Sequence, residues 1–154
     1  RATSAAPTYF EPALISVQGQ ARALVDGGVF VNSPVVSAYA EALKLYPGES
    51  LLVVSLGTGE LVRPIPYESA KDWGQAGWVM PLLDCMFDGA TKAANHQMQM
   101  FLGDMYFRLQ VSLDEANDDM DDASSTNIDN LKRIADRLIS ENQKTLDRLL
   151  LLLS

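Results

Sequence analysis

The sequence predicts an α/β domain whose strands are at least partly parallel. Three observations carry that prediction. Residues 34–45 have the spacing of a helix, which Pro47-Gly48 stops. Leu51, Leu52, Val53 and Val54 form a continuous apolar run, the pattern of a strand covered on both faces. Gly57 and Gly59 then end that strand, completing the helix, loop and buried-strand order of an α/β unit. The 154 residues fit one domain with enough length to bury a substantial core.

The opening RATSAAPTYFEP, with small residues, Pro7 and two aromatics, predicts a short helical turn leading into a loop. Residues 13–18 alternate loosely as a short strand, and 22–26 approach a second strand that stops at Gly27-Gly28. VFVNSPV keeps the chain near the edge of the core. In the following helix Pro34 suits the first turn, and Val36, Tyr39, Ala40, Ala42, Leu43 and Leu45 can supply a buried face. Lys71 to Gly77 reads as a loop carrying Trp73. Trp78 to Met100 reads as one helix or, with a break at Gly89, as two, and MYFRLQVSL, from Met105, as a strand. DEANDDMDD has too few apolar residues for a core element and predicts an acidic, solvent-facing turn region.

The last helix is capped in this reading by Thr126, with Asp129 three residues later near the positive helix end. Leu131, Ile134, Leu138 and Ile139 form its apolar stripe, extended by Leu146, Leu149 and Leu150 if the helix continues past Asn142. Packing against the domain is the plainer use of that stripe. The run Leu149 to Leu153 covers more than one face and leaves a membrane- or partner-contacting tail open.

The formal charge of -8, from 20 acidic and 12 basic residues, argues against a nucleic-acid partner and gives no help to adsorption on an anionic membrane. An apolar active-site mouth remains compatible with an acidic surface. The single cysteine, Cys85, excludes an intrachain disulfide and a thiolate-rich metal site. No apolar run reaches 18 residues, so no transmembrane segment is expected. Nothing fixes the compartment, and the cytoplasm is favoured. Arg1 is not a normal translation start, so an upstream portion is expected.

Asp26-Gly27-Gly28 sits where a predicted strand gives way to a turn. A carboxylate there is fixed by the sheet, reaches the strand ends where α/β proteins form sites, and can orient a hydroxyl nucleophile. A turn-forming Asp-Gly pair explains the same residues. Gly57 and Gly59 lack the rest of a phosphate-binding loop. Asp118, Asp119, Asp121 and Asp122 could attract calcium, but without EF-hand spacing a solvated loop is the plainer reading. His96, the one histidine, lies in AANHQMQM, which reads as helix surface or packing more readily than as a triad member. Thr3 and Ser4 read as backbone caps before site residues. Trp73, Trp78 and Phe87 read as aromatic packing before an acyl groove.

RATSAAPTYFEP, then DGGVFVNSPV, then SLGTG, in that order, resembles the later half of the patatin-like phospholipase family. MYFRLQVSL and DDASSTNIDNLKRIADRLI resemble its closing strand and C-terminal helix, so the resemblance runs with gaps from residue 1 to about 148. Residues 60–100 contribute little to it. The resemblance implies a three-layer α/β/α fold, of which residues 1–154 are the C-terminal part, and a Ser–Asp dyad without a catalytic histidine. Asp26 matches the family aspartate; Gly27, Gly28, Asn32 and Pro34 match the loop that holds it. The family serine sits in a G-x-S-x-G elbow, with a Gly-rich oxyanion loop further upstream. No G-x-S-x-G occurs among the 154 residues.

The implied activity is hydrolysis of phospholipids or related acyl esters without a cofactor or metal. A serine from the upstream portion would attack the ester carbonyl with help from Asp26, and water would then release the fatty acid. The implied partners are the lipid substrate and an N-terminal companion portion of the same precursor, which would cover core surface that this chain alone exposes. The isolated chain is expected to be inactive. The alternative is a noncatalytic lipid-binding or protein-interaction fragment of the same fold.

Overall fold

The computed structural model describes residues 1–61, 63–119 and 121–154, which divide into two compact units. The first comprises Arg1–Glu49 and Trp73–Phe101. The second comprises Ser50–Asp72 and Leu102–Ser154.

In the first unit, a 3-10 turn at Ala2–Ser4 leads into an antiparallel hairpin, β1 (Ala13–Val17) and β2 (Gln20–Leu24), with Ala13 opposite Leu24 and Val17 opposite Gln20. Gln18 and Gly19, both at positive φ (52° and 79°), form the two-residue connection that matches strand twist. The Asp26 amide donates to the Ala5 carbonyl at 3.0 Å, tying the end of the hairpin to the opening turn, where Ala5 is fully buried. A 3-10 turn at Gly27–Val29 follows, then α1 (Val35–Leu45).

Helix α1 starts one residue later than the expected 34–45, with Pro34 at its N-cap, and its buried face is narrower than expected. Val35 is buried and Val36, Tyr39 and Ala42 are half-buried, whereas Ala40, Leu43 and Leu45 are exposed because no described element covers them. Gly48 takes φ of 85° just past its end.

The rest of the unit is α3 (Gly74–Leu102), which follows the single turn α2 (Tyr67–Ala70). Gly89 does not break it, and the expected loop from Lys71 to Gly77 shrinks to the residues before Gly74. The helix even carries Pro81 in its interior, where the missing N–H leaves the Gly77 carbonyl without its helical donor. Gly77 earns its place by contact: a Cβ there would stand 2.7 Å from that of Trp73. Trp73 meets Trp78 edge-on at 5.2 Å, so these aromatics pack on each other. Met98 is fully buried.

The second unit is built on the expected parallel pair, β3 (Val53–Leu56) with β4 (Tyr106–Leu109), register Val53 to Tyr106 and Leu56 to Leu109. A bridge between Glu60 and Ser112 prolongs the parallel contact. Coverage on both faces is not reached, since Leu51, Leu52 and Val53 are half-buried and Val54 exposed; two strands shield less than a full sheet. Tyr106, Phe107, Leu109 and Leu113 are buried.

The closing segment is two helices, α4 (Ser125–Glu141) and α5 (Gln143–Leu153), separated at Asn142, whose side-chain amide donates to the Leu138 carbonyl at 2.9 Å. Ser124, not Thr126, caps α4: its hydroxyl accepts from the Asn127 amide at 3.3 Å, so the helix starts two residues earlier than the Thr126 reading requires. Ile134 and Leu149 are buried, and the Arg148 guanidinium lies 5.6 Å above the Phe107 ring, seating α5 on β4.

The acidic segment is an ordered loop wound on Asn127. The Asn127 side chain accepts from the Asn117 amide at 2.8 Å and donates to the Asn117 and Asp122 carbonyls. Met120, within that segment, lies outside the described residues. Helices flanking small β-sheets give a mixed α/β architecture that matches the three-layer α/β/α patatin-like fold.

Candidate functional site

Asp26 stands two residues past β2, fixed from both sides of the chain. Its amide is held by Ala5, its carbonyl accepts from Val29 at 3.3 Å, and its Oδ1 accepts from the Gly28 amide at 2.7 Å. The aspartate therefore caps the Gly27–Val29 turn, using the Asp-Gly geometry as the local sequence suggested. Asp26 as a residue is half-buried, and its Oδ2 has no hydrogen-bond partner among the described residues. A carboxylate with one oxygen anchored and the other open can accept a proton from a hydroxyl brought to it.

Gly28 has a specific steric reason. A Cβ there would stand 3.1 Å from Asp26 Oδ1 and 3.6 Å from Asn32 Oδ1, so Asn32 and Asp26 converge on the same glycine. Gly27 has open space where a side chain would go, and its carbonyl accepts from the amides of Phe30 and Val31. Pro34 is the residue immediately before α1 and occupies its N-cap position. The structure thus brings Asp26, Gly28 and Asn32 together, with Gly27 shaping the turn and Pro34 opening the next helix.

The other sequence candidates lie elsewhere. His96 is exposed on α3. The Ser4 hydroxyl donates to the Arg1 carbonyl at 3.3 Å, a backbone cap. Cys85 is an exposed free thiol. Asp118 pairs with Arg63, Asp119 accepts from Asn117 Nδ2 at 2.8 Å, and Asp122 accepts from the Ser124 amide at 3.1 Å. Among the described residues no group of three or more His, Cys, Asp or Glu side chains is placed to hold a metal ion, and no helix is long and apolar enough to cross a membrane.

Two polar clusters in the second unit escaped sequence reasoning. One is Asn127, buried to 5%, whose signal was an asparagine three residues after a capping serine. The other is the row Ser55, Arg108 and Gln110 on one face of β3 and β4, whose signal was polar residues alternating in otherwise apolar strands.

Comparison with known proteins gives a consistent set of relatives. The chain is 32% identical over 160 residues to patatin-like protein 6 of Arabidopsis thaliana, covering 92% of this chain and 32% of that protein. It is 31% identical to patatin-like protein 8 of the same plant, covering 92% of the chain and 30% of that protein. With patatin-like protein 2 of Oryza sativa the identity is 29%, over 94% of the chain and 44% of the relative. The chain spans less than half the length of these relatives. No family model matches it, and no solved structure does. Homology to several plant patatin-like proteins, at low identity and over most of the chain, supports its membership of the patatin-like family.

Proposed function

We propose that this chain is the C-terminal, aspartate-bearing part of a lipid acyl hydrolase that cleaves phospholipids or related acyl esters through a Ser–Asp dyad. The observation that carries the reading is the Asp26 carboxylate, anchored at Oδ1 by the Gly28 amide and open at Oδ2. The serine comes from a companion portion upstream in the same precursor, in keeping with a chain that spans about a third of its Arabidopsis relatives. In this mechanism the serine hydroxyl gives its proton toward Asp26 as its oxygen attacks the ester carbonyl. The alcohol leaves, and water then attacks the acyl-serine, again losing a proton toward Asp26 as the fatty acid departs. Gly27, Gly28, Asn32 and Pro34 shape the loop that holds the aspartate and are not reacting groups. A cytoplasmic setting belongs to the same proposal.

The test uses the protein with its serine-bearing portion. Asp26→Asn keeps an oxygen for the Gly28 amide, so the turn persists while the base is lost. Ester hydrolysis is expected to fall by about 10²–10⁴-fold at unchanged thermal stability. Unchanged hydrolysis would remove Asp26 from the reaction. The second reading is a noncatalytic lipid-binding or protein-interaction fragment of the same fold. A precursor with another residue in place of the elbow serine would select it.

A further inference from the structure

The second unit contains a cluster of hydrogen-bond donors that no carboxylate neutralises. Strand alternation and the parallel register place Ser55, Gly57, Arg108 and Gln110 on one face, at the carboxyl ends of β3 and β4. Arg108 Nη1 donates to Ser55 Oγ at 2.9 Å, and Ser55 is buried to 8%. Having accepted that bond, the Ser55 hydroxyl is left with its own proton to donate. Gln110 Oε1 accepts from the Gly59 amide at 2.9 Å and from the Val111 amide at 3.2 Å. Those two bonds fix which end of the carboxamide is oxygen, and leave the Nε2 amino group as a donor.

These groups converge. The point where a Cβ of Gly57 would stand is 2.1 Å from Gln110 Oε1, 2.4 Å from the carboxamide carbon and 2.8 Å from Arg108 Nη2, so the Gln110 oxygen and the guanidinium meet over the glycine. The glycine therefore leaves its place to the two polar ends. Arg1, Arg22 and Lys144 share with Arg108 the lack of a carboxylate partner among the described residues, but those three are exposed. Arg108 alone of them is half-buried, in a chain with a formal charge of -8 where Arg63, Arg133, Arg137 and Arg148 pair with Asp118, Glu115, Asp114 and Asp104. A partly desolvated guanidinium without a counter-charge is unfavourable and is relieved by an anion.

We infer that Arg108, Ser55 and Gln110 form an oxyanion-binding site at the carboxyl ends of β3 and β4, taking a carboxylate or a phosphate group. The guanidinium supplies paired N–H donors that fit either oxyanion, and the hydroxyl and carboxamide supply two more. The crevice outside the carboxyl ends of parallel strands is where α/β sheets hold ligands. The inference rests on the second unit alone and stands or falls independently of the role assigned to Asp26.

The test is an amide-resolved NMR titration of this chain with sodium phosphate and, separately, sodium acetate, at constant ionic strength. Saturable shifts at Gly57, Gly59 and the Gln110 side-chain amide are expected with at least one anion. Phosphate alone would point to a phosphate-type ligand, acetate alone to a carboxylate-type ligand. Arg108→Gln is expected to weaken the response at least tenfold. Gln110→Glu keeps the acceptor for Gly59 while placing a carboxylate beside Arg108, so it tests the site even if Arg108→Gln fails to fold. It too should weaken anion binding at least tenfold. No saturable shift with either anion, or unchanged binding in Gln110→Glu, overturns the inference.

Discussion

Asn127 illustrates how much one side chain can organise. It is buried, its amide is capped by Ser124, and its carboxamide makes three bonds to the backbone of the acidic loop. Asn127→Ala leaves the Asn117 amide and the Asp122 carbonyl without that partner, and the expected loss is about 2–3 kcal/mol, read from the urea midpoint at unchanged slope. In the same loop two carboxyls are held below the ordinary Asp value of 3.8. The Arg137 hydrogen bond lowers Asp114, and the Ser124 hydroxyl and amide lower Asp122. Because the folded values are depressed, their stabilisation is present above about pH 3.8 and is lost as pH falls through the folded values. Arg137→Gln should return the Asp114 titration upward toward 3.8 and leave Asp122 in place, as followed by carboxyl-carbon NMR; movement of both together would contradict the separate causes. The Asp26 turn was legible beforehand because its geometry is local, an Asp-Gly pair after a strand, whereas the role given to its carboxylate came from the family resemblance. Asn127 and Arg108 were not, since their decisive partners lie 10 and 53 residues away.

Elements were legible where the pattern was periodic and capped. Helix α1 follows from Pro34 and Pro47-Gly48 to within one residue, and β1 from its alternation; β2 lies two residues earlier than the expected 22–26, and β3 two residues later than the apolar run 51–54. Two kinds of feature were not. Ser124 and Thr126 are both good caps within two residues of each other, and the choice is made by the packing of Asn127, which a one-dimensional pattern does not contain. In α3, the glycine left one helix or two open, and the structure has one: a long helix tolerates glycine when both flanks are well formed. A Cβ at Gly89 would meet nothing within 4 Å, and the position is exposed. Gly89→Ala should therefore stabilise the chain by about 0.5–1 kcal/mol, seen as a higher urea midpoint and an unchanged fold. A loss of stability would mean that α3 bends at Gly89 after all.

At the scale of the molecule, the sequence told which residues are apolar but not what covers them. Phe30 is 92% exposed and Leu14 76%, one beside the Asp26 turn and one on β1; Met80, Leu82 and Met86 on α3 and Leu150 to Leu153 on α5 are exposed too. A two-stranded hairpin is marginal by itself, and folded chains seldom leave so many large apolar side chains in water unless a partner takes them. The exposure separates two energies that are usually confounded. A side chain that is exposed in this chain contributes little to its folding, yet contributes to whatever later covers it. Phe30→Ser with Leu14→Thr should therefore change the unfolding free energy of the chain by less than about 0.5 kcal/mol each. The same pair should lower its self-association in sedimentation velocity, or its affinity for a serine-bearing companion when that is supplied, because burial of such side chains is worth about 1.5–3 kcal/mol apiece. Unfolding caused by the substitutions would show that both side chains are already packed within this chain. Unaltered association with stability intact would place the contact surface away from the hairpin and the Asp26 turn, and would take the companion portion off the aspartate.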